Sequence, residues 1–130
     1  MYFQKLHLLL LVSALFVVIP QLSLAYGSGS ATSSCPKPTF TNMTPPAKSV
    51  VTPGSEFSFT ASKSTQIKTL QVTAKGEKVP VTSKPKKNGT FIVTGKLPSS
   101  ITDGFARVSI SAKSSATCQG TDGWLLQIGG

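Results

Sequence analysis

The chain has 130 residues, a formal net charge of +9 and two cysteines. Its length predicts one small domain once a leader is removed. The charge is nearly all lysine, with Arg107 as the only arginine. Sites that bind phosphate through two hydrogen bonds favour arginine, whereas lysine supplies diffuse charge. The composition therefore predicts general attraction to anionic surfaces and argues against a nucleic-acid partner.

Residues 1–25 have the three parts of a secretory signal peptide, expected as a helix. Lys5 precedes an apolar run over residues 8–19, and Ser23 and Ala25 supply the small residues of a cleavage site. The run is shorter than the roughly 20 residues of a spanning helix. We predict export to the periplasm, the cell surface or the medium, with a mature chain that starts at Tyr26. An uncleaved segment would instead tether the domain to the membrane's outer face.

Residues 26–34 (YGSGSATSS) are small and polar and predict a flexible leader, so the folded domain is expected over residues 35–130. Within it, Cys35 and Cys118 form the only cysteine pair. An exported small domain with an even cysteine count, and no second cysteine or histidine at ligand spacing, predicts a disulfide rather than a metal or redox pair. The bond would close a loop of most of the domain.

After Cys35, short runs of alternating apolar and polar residues are separated by turn residues. A first strand is expected at Phe40, and later ones at residues 49–51, 57–61, 70–74, 79–81, 91–93, 106–112 and 124–128. Turns are expected at Pro53-Gly54, Lys75-Gly76, Asn88-Gly89, Asp103-Gly104 and Asp122-Gly123. Pro80 marks an edge position. No stretch after Ala25 has a helical period, and about seven strands in a chain of this length predict an antiparallel β-sandwich.

Five segments together resemble the bacterial immunoglobulin-like repeat domains: PPAKSVVTPGSEFSF, IKTLQVTAKGEKVPV, NGTFIV, GFARVSISAK and WLLQI. The resemblance runs from Phe40 to Ile128 and implies an immunoglobulin-like sandwich with no catalytic residues. The chain departs from antibody-type domains, because Trp124 lies in the last strand and the cysteines flank the sandwich.

The mature chain offers little for catalysis. His7, the only histidine, lies in the predicted signal peptide, which removes the usual general base and the commonest metal ligand. A copper site would need histidine, methionine or free cysteine, and only Met43 is left. The four acids border strands or precede glycines in turns: Glu56, Glu77, Asp103 and Asp122. We predict a protein that is not an enzyme, with no catalytic residue, metal or cofactor.

Two features are candidates for binding. Lys84, Lys86 and Lys87 adjoin the Asn88-Gly89 turn, where they would either attract an anionic polysaccharide or a membrane surface, or form a solvated hairpin tip. Trp124 could stack on a sugar ring, although its alternation with Leu126 and Ile128 favours a position in the core.

The sequence therefore predicts an exported, non-catalytic immunoglobulin-like module that serves interaction or structure. The expected setting is an accessory subunit of a periplasmic or cell-surface assembly, with a protein partner that pairs with an edge strand. The alternative is a module that binds carbohydrate or an anionic polymer through the lysine-rich loop. The oligomeric state is left open.

Overall fold

The computed structural model describes residues 35–129, so the predicted signal peptide and leader lie outside the described residues. This part of the chain has strands and no helix, which confirms the all-β prediction. Residues 35–129 form nine strands, rather than about seven: β1 (Phe40–Thr44), β2 (Val50–Val51), β3 (Glu56–Ala61), β4 (Gln66–Ala74), β5 (Glu77–Lys78), β6 (Val81–Pro85), β7 (Phe91–Lys96), β8 (Gly104–Ser115) and β9 (Cys118–Ile128).

The strands form two sheets. Sheet A has the order β1-β3-β7-β6, and each neighbouring pair is antiparallel. Sheet B has the order β2-β9-β8-β4-β5. Its strands are antiparallel except at β2, where Val50 and Val51 pair in parallel with Gln127 and Ile128. The sandwich prediction is confirmed, and its purely antiparallel form is corrected by this one pair.

The core lies between the sheets and is built mainly from alternate residues of the longer strands. On β3, Phe57 and Phe59 are buried while Ser58 and Thr60 are partly exposed. Trp124 of β9 meets both phenylalanines edge to face, at ring-centroid distances of 5.9 and 6.2 Å. Burying one such side chain stabilises the fold by roughly 1.5–3 kcal/mol, so this aromatic group joins sheet A firmly to sheet B.

The segment expected as one strand through Val79 and Val81 is divided between the sheets, which corrects the prediction. β5 pairs with β4 in sheet B, whereas β6 pairs with β7 in sheet A. Val79 is buried, and its N–H donates to the Val72 carbonyl at 2.9 Å. Pro80 follows directly, and from Val81 onward the chain pairs with β7 in sheet A.

The expected turn at Asp122-Gly123 is also wrong. Both residues lie inside β9, and the hairpin turn falls at residues 116–117. A Cβ on Gly123 would come within 2.6 Å of the Val108 carbonyl oxygen and 3.2 Å of Arg107 Nη2. Glycine stands here because neighbouring atoms fill the space of a side chain, and turn formation plays no part.

Cys35 and Cys118 form the predicted disulfide, with an S–S distance of 2.02 Å and a Cα–Cα distance of 6.0 Å. Cys118 is the first residue of β9. The bond therefore joins the segment that enters sheet A to the beginning of a sheet B strand. Residues 35–39 also pack against β9 through Pro38, whose carbonyl faces Gly120.

Candidate interaction surfaces

The β6–β7 hairpin has a hydrogen-bond pattern that follows from its turn. The Lys86 N–H donates to the Thr90 carbonyl at 2.7 Å, and hydrogen-bonded pairs alternate with non-bonded pairs along an antiparallel ladder. Every second residue back along β6 therefore bonds to β7, which assigns Lys84 and Thr82 to that ladder.

The intervening residues of β6 direct their backbone groups away from β7. Since β6 is the last strand of sheet A, these groups lie on its free edge. They are the N–H groups of Val81 and Ser83 and the carbonyls of Val81, Ser83 and Pro85. Pro80 and Pro85 add no donor, so the edge has a short donor-bearing stretch bounded by prolines. An edge of this kind can pair with one short extended segment.

A depression of about 400 Å³ adjoins this edge. Its lining includes hydroxyl groups and charged groups of both signs. Thr82 and Thr94 share a 2.9 Å hydrogen bond between their hydroxyls, and Glu56 pairs across the sheet with Lys96. Side chains of a segment paired with β6 would reach it. Its lining comes from β3, β6, β7 and the residue before β6: Glu56, Pro80, Val81, Thr82, Thr94, Gly95 and Lys96.

The predicted lysines lie on the same hairpin. Lys84 belongs to β6, and Lys86 and Lys87 stand at the turn, all three exposed. The turn has the expected form: Asn88 Oδ1 accepts from the Thr90 N–H at 3.1 Å, and Gly89 has a φ of +88°. These charges are held on a defined turn of the backbone.

A fourth lysine, which the sequence analysis missed, joins this hairpin. The side chain of Lys63, in the β3–β4 loop, lies beside the turn: a Cβ on Gly89 would be 3.4 Å from Lys63 Cβ. The adjacency arises because β3 and β6 both pair with β7. To predict this contact one must know the order of strands in the sheet, and the alternation of residues along the chain does not give that order.

Trp124 is only 5% exposed, as its alternation with Leu126 predicted. Its indole N–H donates to the Pro45 carbonyl at 2.9 Å. The polar atom is therefore satisfied inside the fold and the ring is enclosed by aromatic neighbours. In this position Trp124 presents no open face on which a sugar could stack.

A second depression, of about 480 Å³, lies over sheet B and was also missed. Arg107 extends across β9, with Nη2 beside Gly123. The sequence analysis could not assemble this group, because its members come from three strands whose order was unknown. The depression is lined mainly by hydroxyl, amide and carboxylate groups: Gln71, Thr73, Arg107, Ser109, Ile110, Ser111, Thr121 and Asp122.

The outer face of sheet B also carries two exposed apolar residues. Val50 is 65% exposed and Phe105 is 54% exposed. Both lie directly opposite Gln127, on either side of it, so they form one row across β2, β9 and β8. This row lies at the end of the sandwich away from the β6–β7 turn.

Within residues 35–129, no three histidine, cysteine, aspartate or glutamate side chains gather as a metal site would require. Nor does any helix in that range have the length and apolar character to cross a membrane.

Two solved structures match this chain to different degrees. CopC from Methylosinus trichosporium OB3b matches with a TM-score of 0.52 and 14% identity, over 70% of this chain and 92% of that one. PcoC, a methionine-rich copper resistance protein from Escherichia coli, matches with a TM-score of 0.47 and 20% identity, over 72% of this chain and 100% of that one. No family model and no curated protein sequence matches the chain. The match to CopC agrees with the β-sandwich fold, while membership of the bacterial immunoglobulin-like repeat family stays a prediction.

The side chains of residues 35–129 do not fit a copper site of the usual chemistry. Copper takes imidazole, thioether or thiolate ligands. This range has no histidine, and its two cysteines are bonded to each other. Its one methionine, Met43, packs against the core. The likeness in fold therefore brings no matching set of copper ligands with it.

Proposed function

We propose that this protein is an exported, non-catalytic interaction module that binds a protein partner by strand addition to β6. The observation that carries the proposal is the free edge of β6, with the N–H groups of Val81 and Ser83 directed outward beside a depression. Backbone hydrogen bonds would supply affinity, and the depression would select partner side chains.

The setting follows from export. The predicted signal peptide directs the chain out of the cytoplasm, and the Cys35–Cys118 bond suits an oxidising compartment. Hydroxyl groups are plentiful in residues 35–129, yet no histidine there can activate one as a nucleophile. An accessory subunit of a periplasmic or cell-surface assembly combines these features.

The carbohydrate-binding alternative has weaker support. Trp124, the ring that would have stacked on a sugar, is enclosed in the core. The hairpin lysines are point charges, which attract anionic polymers generally and do not select one sugar.

Site-specific photocrosslinking in the expressing organism tests the proposal. A photoreactive residue at Thr82, exposed on β6, is expected to yield one discrete adduct with a partner protein. The matched control is Thr41, exposed on β1 at the other edge of sheet A, which should yield none.

The variant Ser83→Pro removes a free-edge N–H without removing a bond to β7. It should abolish the Thr82 adduct while the protein still unfolds cooperatively, and Ser83→Ala should keep the adduct. Absence of an adduct at β6, or an adduct that persists in folded Ser83→Pro, would show that strand addition to this edge is wrong.

A further inference from the structure

Lysines from three separate segments meet at the end of the sandwich where the described chain begins. We call this group, Lys37, Lys63, Lys84, Lys86 and Lys87, the basic end. All five are exposed.

Specific contacts hold these segments together. The Ser62 N–H donates to the Thr39 carbonyl at 2.9 Å, and the Thr39 N–H donates to Ser62 Oγ at 3.0 Å. These bonds fix the segment that carries Lys37 beside the loop that carries Lys63. Lys63 in turn lies against Gly89 of the hairpin turn. The basic end is thus one continuous surface built by the fold.

Sheet B adds charge of the same sign nearby. Lys113 pairs with Gln66, the first residue of β4, and exposed Lys68 follows two residues later. The β8–β9 turn and the Cys35–Cys118 bond also lie at this end.

The acidic residues lie elsewhere. Glu56 begins β3 at the opposite end, Glu77 accepts a hydrogen bond from Ser100 at 3.2 Å, and Asp103 precedes β8. Asp122 lies in the middle of β9, opposite Ile110. Charge is therefore segregated along the sandwich: one end is purely basic, and the other mixes acids with lysines.

We propose that the basic end docks on a membrane surface rich in anionic phospholipid headgroups. Its positive charge comes from lysines on several elements. Such diffuse charge suits attraction to a charged surface better than specific binding of a single anionic group. The predicted export signal brings the chain to the outer side of a membrane, where such headgroups are exposed. The inference shares only its premise of export with the proposed function and is independent of strand addition.

Vesicle sedimentation tests this orientation directly. The exported chain is mixed with vesicles of phosphatidylcholine and phosphatidylglycerol, or of phosphatidylcholine alone, at low and high salt. Each lysine close to an anionic surface strengthens binding about five-fold. Lys63→Gln/Lys86→Gln/Lys87→Gln should therefore weaken binding to the anionic vesicles at least ten-fold.

The matched control Lys75→Gln/Lys78→Gln/Lys96→Gln removes the same charge from the opposite end and should change binding less than three-fold. Phe105→Ser should leave binding unchanged, because that ring lies at the far end. Trp124 fluorescence and thermal unfolding verify that each variant is folded.

Three results would overturn the proposal. One is equal binding of the parent chain to charged and uncharged vesicles. Another is an equal loss in the two triple variants, which would mean that net charge alone drives adsorption. The third is displacement from vesicles by a soluble anionic polysaccharide at equal charge concentration, which would identify that polymer as the preferred ligand. A selective loss in the basic-end variant without such displacement supports docking.

Discussion

Position 120 requires glycine because the carbonyl of Pro38 occupies the space where a side chain would begin. A backbone carbonyl moves only if the whole leading segment moves. That segment also carries the disulfide and the two hydrogen bonds between Thr39 and Ser62. One missing methyl group thus allows the first described residues to lie against β9.

We therefore expect Gly120→Ala to lower the free energy of unfolding by about 2 kcal/mol, as overpacking does elsewhere. In a domain of this size the melting temperature should fall by roughly 8–16 °C. Thermal unfolding followed by circular dichroism measures the change.

Gly129→Ala is the matched control. Its Cβ would meet only Val50 Cγ1, at 3.1 Å, and Val50 is an exposed side chain that can move. It should leave the melting temperature within about 2 °C of the parent, in keeping with surface substitutions generally. Equal melting temperatures for Gly120→Ala and the parent would contradict the close packing of Pro38 on β9.

Among the elements, the strands with a regular alternation of buried and exposed side chains are those that the sequence predicts well. β3, and β8 from Phe105 to Lys113, alternate between buried positions and partly or fully exposed ones, so their pattern alone identifies them. Asn88-Gly89 and Lys75-Gly76 were identified by turn chemistry, and the positive φ values of Lys75, Gly76 and Gly89 explain why.

The wrong predictions share one cause: each of these features depends on a neighbouring strand from elsewhere in the chain. β2 has only two residues and exists because β9 lies beside it. The division between β5 and β6 depends on which sheet each strand joins. Glycine at 123 signalled a turn, but it reflects a close approach by Val108 and Arg107. Chain-local patterns do not contain this information.

The candidate surfaces were predicted only in part, for the same reason. Lys84, Lys86 and Lys87 could be found from sequence because they are contiguous. Lys63 could not, because it reaches the hairpin through the order β3-β7-β6. The free edge of β6 was only hinted at by Pro80, since its outward donors follow from the register with β7.

The disulfide joins two separate segments of the fold and is expected to contribute heavily to the free energy of unfolding. It spans 83 residues, and the chain-entropy model gives on the order of 4–5 kcal/mol for a loop of this size. The double variant Cys35→Ser/Cys118→Ser should therefore unfold at a much lower urea concentration than the parent. Added reductant should lower the urea midpoint of the parent and leave that of the double variant unchanged. An identical midpoint for variant and parent would contradict a stabilising cross-link.

At the scale of the whole molecule, the two proposed surfaces are compatible. β6 runs from the mixed-charge end toward the basic end, so its free edge lies along the side of the sandwich. A domain that rests on a membrane through the basic end would keep this side open. A partner segment could then pair with β6 while the row of Val50 and Phe105 faces away from the membrane.

Hydrogen exchange resolved at single amides in β6 tests the central claim most directly. In the isolated chain, the Val81 and Ser83 amides should exchange rapidly, while Thr82 and Lys84, bonded to β7, should be protected. When the partner captured at Thr82 is added at saturating concentration, Val81 and Ser83 should become at least ten-fold slower and Thr82 should change little. Rapid exchange of Val81 and Ser83 in the saturated complex would contradict strand addition to β6.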